Sequence, residues 1–422
     1  MHRWEQFQNR RGEPDSYRDG GYQVPLGTDP FHQAPLPMGV GGFGGTFPNP
    51  GLVSFTGTSP DDARKLHRNN YAGYVDLNTD IMRDWYVGAA GRVEHYDDSA
   101  GNVVSGKLAT RYEIIKGLGI RAGINSGFRA PSLAQTGFST TQVTGTIIGG
   151  ERITTRSKFL PVDSDAAKAL GASPLKPEKS WSVTGGVTYE LARALRITLD
   201  GYQTKVDGRI AKTEFIGTAN NGGLAVRELL RSQGIDDVDS AQFHFNAMDT
   251  TTRGFDVVAE YTLRSQNFGT FRPSVAYSYA RTQIDKVTAN PEELADLNVT
   301  LFGRQAQIDV TSSTPRSKAV ISGNWTIWRF ATELRVTRYG KYTEASTTSG
   351  FDTYFSAKWI TDLDVGYGIT DAVKLSVGAY NLFNIYPDKV GIVSQDGSGQ
   401  YGSFAPFGFS GGFYYARLNV NI

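Results

Sequence analysis

The sequence predicts an all-β protein, a transmembrane antiparallel β-barrel wall with long loops at one end. Three observations predict it. Segment after segment alternates with period two and keeps one face free of charge. The links between segments alternate short and long. No catalytic motif interrupts the pattern. In a strand, successive side chains point to opposite faces. A wall apolar toward lipid and polar toward a lumen reads in this way.

Composition agrees. The chain has 422 residues, 39 % of them hydrophobic, with a mean hydropathy of −0.34. No run approaches the ~18–20 apolar residues of a spanning helix. That excludes an α-helical membrane protein and leaves a barrel, whose wall needs apolar residues only at alternate positions. Lys+Arg and Asp+Glu nearly cancel, 43 against 42, which leaves no footprint for nucleic acid. The absence of Cys removes disulfides, thiolate metal sites and Cys nucleophiles from consideration.

The elements follow in order. Gly73, Val75 and Leu77 oppose Asp76, Asn78 and Asp80, and Trp85, Val87 and Val93 oppose Arg92 and Glu94. Leu108, Tyr112 and Ile114 oppose Lys107, Arg111 and Glu113; Leu118, Ile120, Ile124 and Phe128 oppose Arg121, Asn125 and Arg129. The same division recurs near 180–191, 195–200, 255–263, 274–282, 318–327, 330–336, 359–367 and 373–379. In the last strand Tyr414, Ala416, Leu418, Val420 and Ile422 oppose Arg417, Asn419 and Asn421. That makes thirteen strands. A fourteenth is expected at residues 1–10, where the alternation is poor.

Short links near 82–84, 116–117, 192–193, 264–269, 328–330 and 369–372 alternate with long ones at about 97–104, 130–178, 211–246, 285–315, 343–357 and 385–410. Short periplasmic turns and longer extracellular loops are the habit of outer-membrane barrels. The longest loop, 11–69, is rich in Gly and Pro and reads as a mobile extracellular loop. Ser59-Pro60-Asp61-Asp62 and Asn290-Pro291-Glu292-Glu293 read as an N-cap followed by Pro at the first helical position. Residues 224–233 and 165–170 read as short surface helices stopped by Gly234 and Gly171.

The chemistry-bearing patterns are weak. Gly39-Val40-Gly41-Gly42-Phe43-Gly44 fits G-x-G-x-x-G, but neither a strand before it nor a helix after it is predicted, so a loop is the better reading. His2, His32, His67, His95 and His244 lack metal-ligand spacing. Asp362 and Asp364 share one strand face and would suit acid–base work. Lumen charges paired across the wall are the preferred reading. Ten cations and eleven acids fall on the lumen side, a balance better suited to a polar object filling the barrel than to a selective open pore. The tryptophans suit interfacial girdles, while Tyr401, Phe404, Phe407 and Phe409 of the last loop are candidates for ligand contact.

Taken together, Gly127-Phe128-Arg129-Ala130-Pro131-Ser132, Tyr71-Ala72-Gly73-Tyr74-Val75-Asp76 with Gly91-Arg92-Val93-Glu94, and Leu175-Lys176-Pro177-Glu178-Lys179-Ser180 form an ordered set. Asn381-Leu382-Phe383-Asn384, Pro406-Phe407-Gly408 and Tyr414-Tyr415-Ala416-Arg417-Leu418 complete it, and Arg10-Arg11-Gly12-Glu13-Pro14-Asp15-Ser16-Tyr17 matches one subgroup. This set resembles the C-terminal barrel portion of TonB-dependent outer-membrane receptors. The resemblance spans most of the chain. It implies a 22-stranded barrel with an N-terminal plug, of which residues 1–422 would be the last fourteen strands, without the plug. Met1-His2-Arg3-Trp4-Glu5-Gln6-Phe7 shows no export signal, which fits a start upstream. Ile422 stands where the family usually ends on an aromatic residue.

The resemblance further implies no enzyme activity and no cofactor. It implies TonB-energised uptake of a scarce nutrient of the siderophore, cobalamin or oligosaccharide class across the outer membrane of a Gram-negative bacterium. The expected partners are TonB, outer-membrane lipid, the barrel-assembly machinery and the imported ligand. Arg129, Arg92, Arg111 and Glu113 are the lumen residues expected to touch a plug. A passive fourteen-stranded channel is the alternative, and an outer-membrane enzyme using Asp362 and Asp364 a more remote one.

Overall fold

The computed structural model describes residues 1–11, 58–148, 151–191, 194–218, 220–346, 349–390 and 399–421, the side chains of 143–155 excepted. Fourteen strands form one continuous antiparallel wall in chain order. They are β1 (His2–Asn9), β2 (Arg64–Met82), β3 (Trp85–Tyr96), β4 (Asn102–Ile115), β5 (Leu118–Arg129), β6 (Glu178–Leu191) and β7 (Leu195–Lys212). The second half is β8 (His244–Tyr261), β9 (Gly269–Val287), β10 (Ser317–Ile327), β11 (Phe330–Tyr339), β12 (Lys358–Gly368), β13 (Val373–Tyr380) and β14 (Phe413–Val420). Six further short strands bring the total among the described residues to twenty. The wall is not closed: among the described residues no ladder joins β1 to β14.

The expected faces hold. Val75, Leu77, Val93 and Leu418 stand exposed on the outer face, Leu77 at 66 %. Apolar side chains on a fully exposed face need a nonaqueous neighbour, and hydrocarbon is the one a wall of this length meets. Trp85, Trp325 and Trp328 lie toward the short turns, and Trp181 and Trp359 toward the long loops. The indoles of Trp85 and Trp325 donate to Thr110 Oγ1 at 2.8 Å and to the Phe268 carbonyl at 2.7 Å.

One boundary differs from expectation. The loop assigned to 11–69 ends before Arg64, because β1 pairs with Arg64–Tyr71. Leu66, Arg68 and Asn70 alternate with Lys65, His67 and Asn69, so neither face is apolar. A strand needs ~9–11 residues to span the hydrocarbon, and β2 has 19. Its first turns project beyond the apolar band, where no lipid constrains the pattern. The G-x-G-x-x-G stretch 39–44, His32 and Ile422 lie outside the described residues.

The apolar core sits in the loops rather than in the wall. Leu170, Ile216, Val226, Leu230 and Leu294 are fully buried together, with Phe243, Leu301 and Phe302 around them. These residues come from the β5–β6, β7–β8 and β9–β10 loops, so the three loops fold into one cap. Its helices are α1 (Leu133–Gly137), α2 (Asp165–Ala169), α3 (Gly223–Ser232) and α4 (Arg304–Thr311). Ser132 and Ser164 cap α1 and α2. The chain leaves α2 and α3 through Gly171 (φ 79°) and Gly234 (φ 76°), positions that favour glycine.

Ser59 is the expected N-cap with Pro60 after it, and it also closes a capping box with Asp62 on a short 3₁₀ turn. The second such expectation fails in detail. Pro291, in extended conformation, is itself the N-cap of Glu292–Leu294, and Asn290 instead donates to the Val299 carbonyl at 2.5 Å. That bond ties the loop across itself, which a local capping rule does not anticipate. A small sheet of Thr140–Ile148, Glu151–Phe159 and Ser240–Gln242 completes the cap.

Candidate functional site

The lumen face is built from polar side chains that neutralise one another within the wall. Arg92–Glu94, Arg121–Asp200, Arg129–Glu178, Arg196–Glu190, Arg335–Glu333 and Arg417–Asp364 are ion pairs. Much of the charge balance noted in the sequence is therefore met by the sheet itself. One of these ion pairs and one hydrogen bond beside them depend on glycine. Arg121 of β5 reaches Asp200 of β7 at 2.7 Å across Gly186 of β6. A Cβ at Gly186 would lie 2.0 Å from Asp200 Oδ1 and 2.8 Å from the Leu199 carbonyl oxygen. On the other half, Tyr415 of β14 crosses Gly378 of β13 and donates to Asp364 Oδ2 of β12 at 2.8 Å. In both places one missing side chain lets a contact span three strands.

The four residues expected to face a plug have separate surroundings. Arg129 ends β5 and makes a two-toothed bond to Glu178 at the start of β6, at 2.8 and 2.5 Å. Glu178 is buried, and its Oε1 also accepts from the Ile210 amide at 2.8 Å. The two short motifs around Arg129 and Glu178 thus meet in register. Arg92 bonds Glu94, which also accepts from Asn70 at 2.7 Å and Tyr96 at 2.9 Å. Glu113 turns aside to accept from the Gly117 amide at 2.8 Å, closing the β4–β5 turn. Arg111 sits opposite Tyr86 and Arg121 in register and has no ion pair among the described residues. Glu113 too lacks an ion pair among the described residues, but it is bound to the turn, which leaves Arg111 as the cation of the four without a counter-ion.

Asp362 and Asp364 share a face, as expected, but each has structural partners. Asp362 accepts from the Asn381 amide at 2.9 Å, and Asp364 is held by Tyr415 and by Arg417 at 3.5 Å. His2 stacks on Tyr71 with ring centres 4.8 Å apart, and His95 Nδ1 contacts Asn102 Oδ1 at 2.8 Å. His244 packs on Phe159 at 5.0 Å. No cluster of three or more metal-binding side chains is formed among the described residues.

Above the wall, the last loop gathers aromatic rings. Tyr401 stacks between Tyr386 at 5.6 Å and Phe409 at 6.3 Å, and Phe407 lies 5.6 Å from Tyr339. Phe404, in the same loop, stands exposed. Carboxylates fasten these loops to the strand ends. Asp163 accepts both arms of Arg64 at 2.8 Å, which holds its carboxyl below the ordinary range. Burial pushes Asp388 upward, but Lys358 and the Ser356 hydroxyl and amide outweigh it and hold it low. Asp309 is raised, by burial and by the charge of Glu344. Burial, aided by Glu344 and Asp388, pushes the Tyr342 phenol up to about 12.

Sequence reasoning did not single out Arg68. Its buried guanidinium joins Glu5 at 2.5 Å, Asp98 at 3.1 Å and the Pro131 carbonyl at 2.8 Å, and lies 5.0 Å above the Tyr96 ring. It ties β1, β2 and two loops into one node. In the sequence it is one of three cations, with Arg64 and Lys65, at the start of a strand where neither face is apolar.

The family model described as TonB dependent receptor-like, beta-barrel, matches residues 3–382. The chain belongs to this family of receptor barrels. Similar solved structures include the ferric enterobactin receptor PfeA of Pseudomonas aeruginosa, at 16 % identity and a TM-score of 0.57, covering 87 % of this chain and 47 % of that one. The siderophore receptor PirA of Acinetobacter baumannii gives 15 % and 0.54, covering 87 % and 48 %. The outer-membrane transporter YddB of Escherichia coli gives 11 % and 0.56, covering 85 % and 46 %. This chain spans about half the length of the receptor barrels it matches. Among curated proteins, none matches.

Proposed function

We propose that this barrel takes part in TonB-energised uptake of a scarce, chelated nutrient across the outer membrane of a Gram-negative bacterium, with a siderophore as the cargo class. The observation that carries the reading is the arrangement of a packed loop cap with clustered aromatics over a polar lumen face. A cap of this kind captures a ligand outside, and a lumen face of fixed charges holds whatever fills the passage. The family supports the mode of transport, and the neighbouring siderophore receptors support the cargo class. The long loops would face the exterior and the short turns the periplasm.

Within this reading, Tyr401, Phe404 and Phe407 contribute ring surface to an incoming ligand. Aromatic faces and edges bind planar aromatic or amphipathic groups at small entropic cost. Arg111 offers the lumen charge available to a plug. The Arg129–Glu178 pair fixes the rim against which a plug would seat. Transport of this kind breaks no bond, and its steps are capture, displacement of the plug and passage.

The test is growth of the native host, or of a host carrying the complete gene, on single ferric siderophores as the iron source, with and without TonB. Growth that depends on both this barrel and TonB supports the proposal. Uptake that persists without TonB turns the assignment toward the passive channel.

A further inference from the structure

The outer face of β8 and β9 carries a feature that uptake does not use. Arg253 and Arg281 stand directly opposite each other in register. Both are exposed, and both point away from the lumen with Phe255 and Tyr279, the next outward pair. Like charges directly opposite on one sheet face destabilise it, so the pair calls for an anion. The nearby acids gather around Lys205 instead: Asp207 pairs with it at 2.9 Å, and the charges of Asp249 and Asp285 act on it as well. None of the three is in ion-pair contact with Arg253 or Arg281. Arg253 bonds only the neutral Gln203, at 2.6 Å, and Arg281 has no ion pair among the described residues.

Position completes the argument. Phe255 and Tyr279 lie 5.8 Å apart, at the long-loop margin of the apolar band. Two residues further along a strand is about 7 Å, so the guanidinium pair sits just beyond the hydrocarbon. Guanidinium groups match phosphate oxygens in geometry and charge, and at this depth the phosphate available is that of a lipid.

We propose that Arg253 and Arg281 form a docking site on the outside of the wall for the phosphate of an anionic lipid headgroup in the outer leaflet. The site rests on the barrel reading above. It is independent of cargo, of TonB and of any plug.

The test places the full chain in phosphatidylcholine nanodiscs, with or without phosphatidic acid, and reads retained lipid by native mass spectrometry. The expected result is selective retention of phosphatidic acid, weakened by salt, and weakened about 30-fold in R253Q/R281Q as two interfacial cations are lost. R253K/R281K should keep most of it. Equal retention of the two lipids by the unaltered chain overturns the proposal, whether or not the variants fold. So does competition by inorganic phosphate as strong as that of the lipid, which would mark a plain phosphate site. A chain that enters bilayers yet shows no phosphate preference removes this inference alone. If this open wall does not enter bilayers, the same comparison in mixed detergent–lipid micelles decides, and equal retention of the two lipids there overturns the proposal.

Discussion

At the scale of single residues, the Arg129–Glu178 pair shows how two weak sequence signals become one contact. Neither motif alone specifies a partner, and the register of β5 with β6 brings them face to face. The two members are unequal: the Glu178 side chain is 10 % exposed and that of Arg129 59 %. Removing Arg129 leaves a buried carboxylate with the Ile210 amide as its remaining support, whereas Glu178→Gln keeps a neutral acceptor for that amide. R129A should cost about 1–3 kcal/mol and E178Q less, measured as the shift of the urea midpoint of tryptophan fluorescence in detergent. Equal losses would show that the buried charge is not the controlling feature. The aromatic residues proposed from the last loop were legible as a group. Their stacking order was not, because Tyr386 and Phe409 meet Tyr401 only after the loop folds back.

At the scale of elements, the strands that face lipid were the legible ones. Val75–Leu77 and Leu418–Val420 alternate because hydrocarbon rejects charge on one side. β1 and the start of β2 lack that constraint, and their pairing is decided by ladder contacts and by Arg68. The cap was the least legible element. Leu170, Ile216, Leu230 and Leu294 are distant in sequence, and each helix alone reads as an ordinary surface helix. The runs flanking Gly149-Gly150 carry a hairpin signal that a search for barrel strands passes over.

Two outcomes are expected here. Leu230→Ala removes a fully buried side chain from the cap and should cost it about 2–5 kcal/mol. Limited proteolysis should then cut the 213–243 loop while the wall keeps its heat-resistant migration in gels, since packed subregions open separately. Simultaneous loss of both would mean that cap and wall fold as one unit. Acid should also loosen the loops. Asp163 and Asp388 titrate lower folded than unfolded, so their stabilisation is complete above the ordinary carboxyl range near ~4 and is lost as pH falls through the lowered values. Asp309 is raised and acts in the opposite sense, gaining as it protonates. Protection of the loop amides around 163 and 388, taken relative to the intrinsic exchange rate at each pH, should fall between neutral pH and about 3. D163N and D388N should flatten that response.

At the scale of the whole molecule, the usual arrangement of a globular domain is inverted. The wall shows its apolar side chains outward and its charges inward, and the compact apolar interior lies at one end, among the loops. Trp181 and Trp359 should therefore sit near one headgroup layer and Trp85 and Trp325 near the other. In proteoliposomes, quenchers placed shallow in the bilayer should dim tryptophan emission more than quenchers placed at its midplane. Stronger quenching from the midplane would contradict the two-girdle placement.

Because the cap keeps a buried nucleus that touches the wall only at strand ends such as residues 245–248, its interior is set apart from the lipid-facing stretch of the staves. Selection can refit that crown, residue by residue, without disturbing a single rung between strands. Barrels of this kind can thus diverge quickly in what they greet while remaining conservative in how they stand.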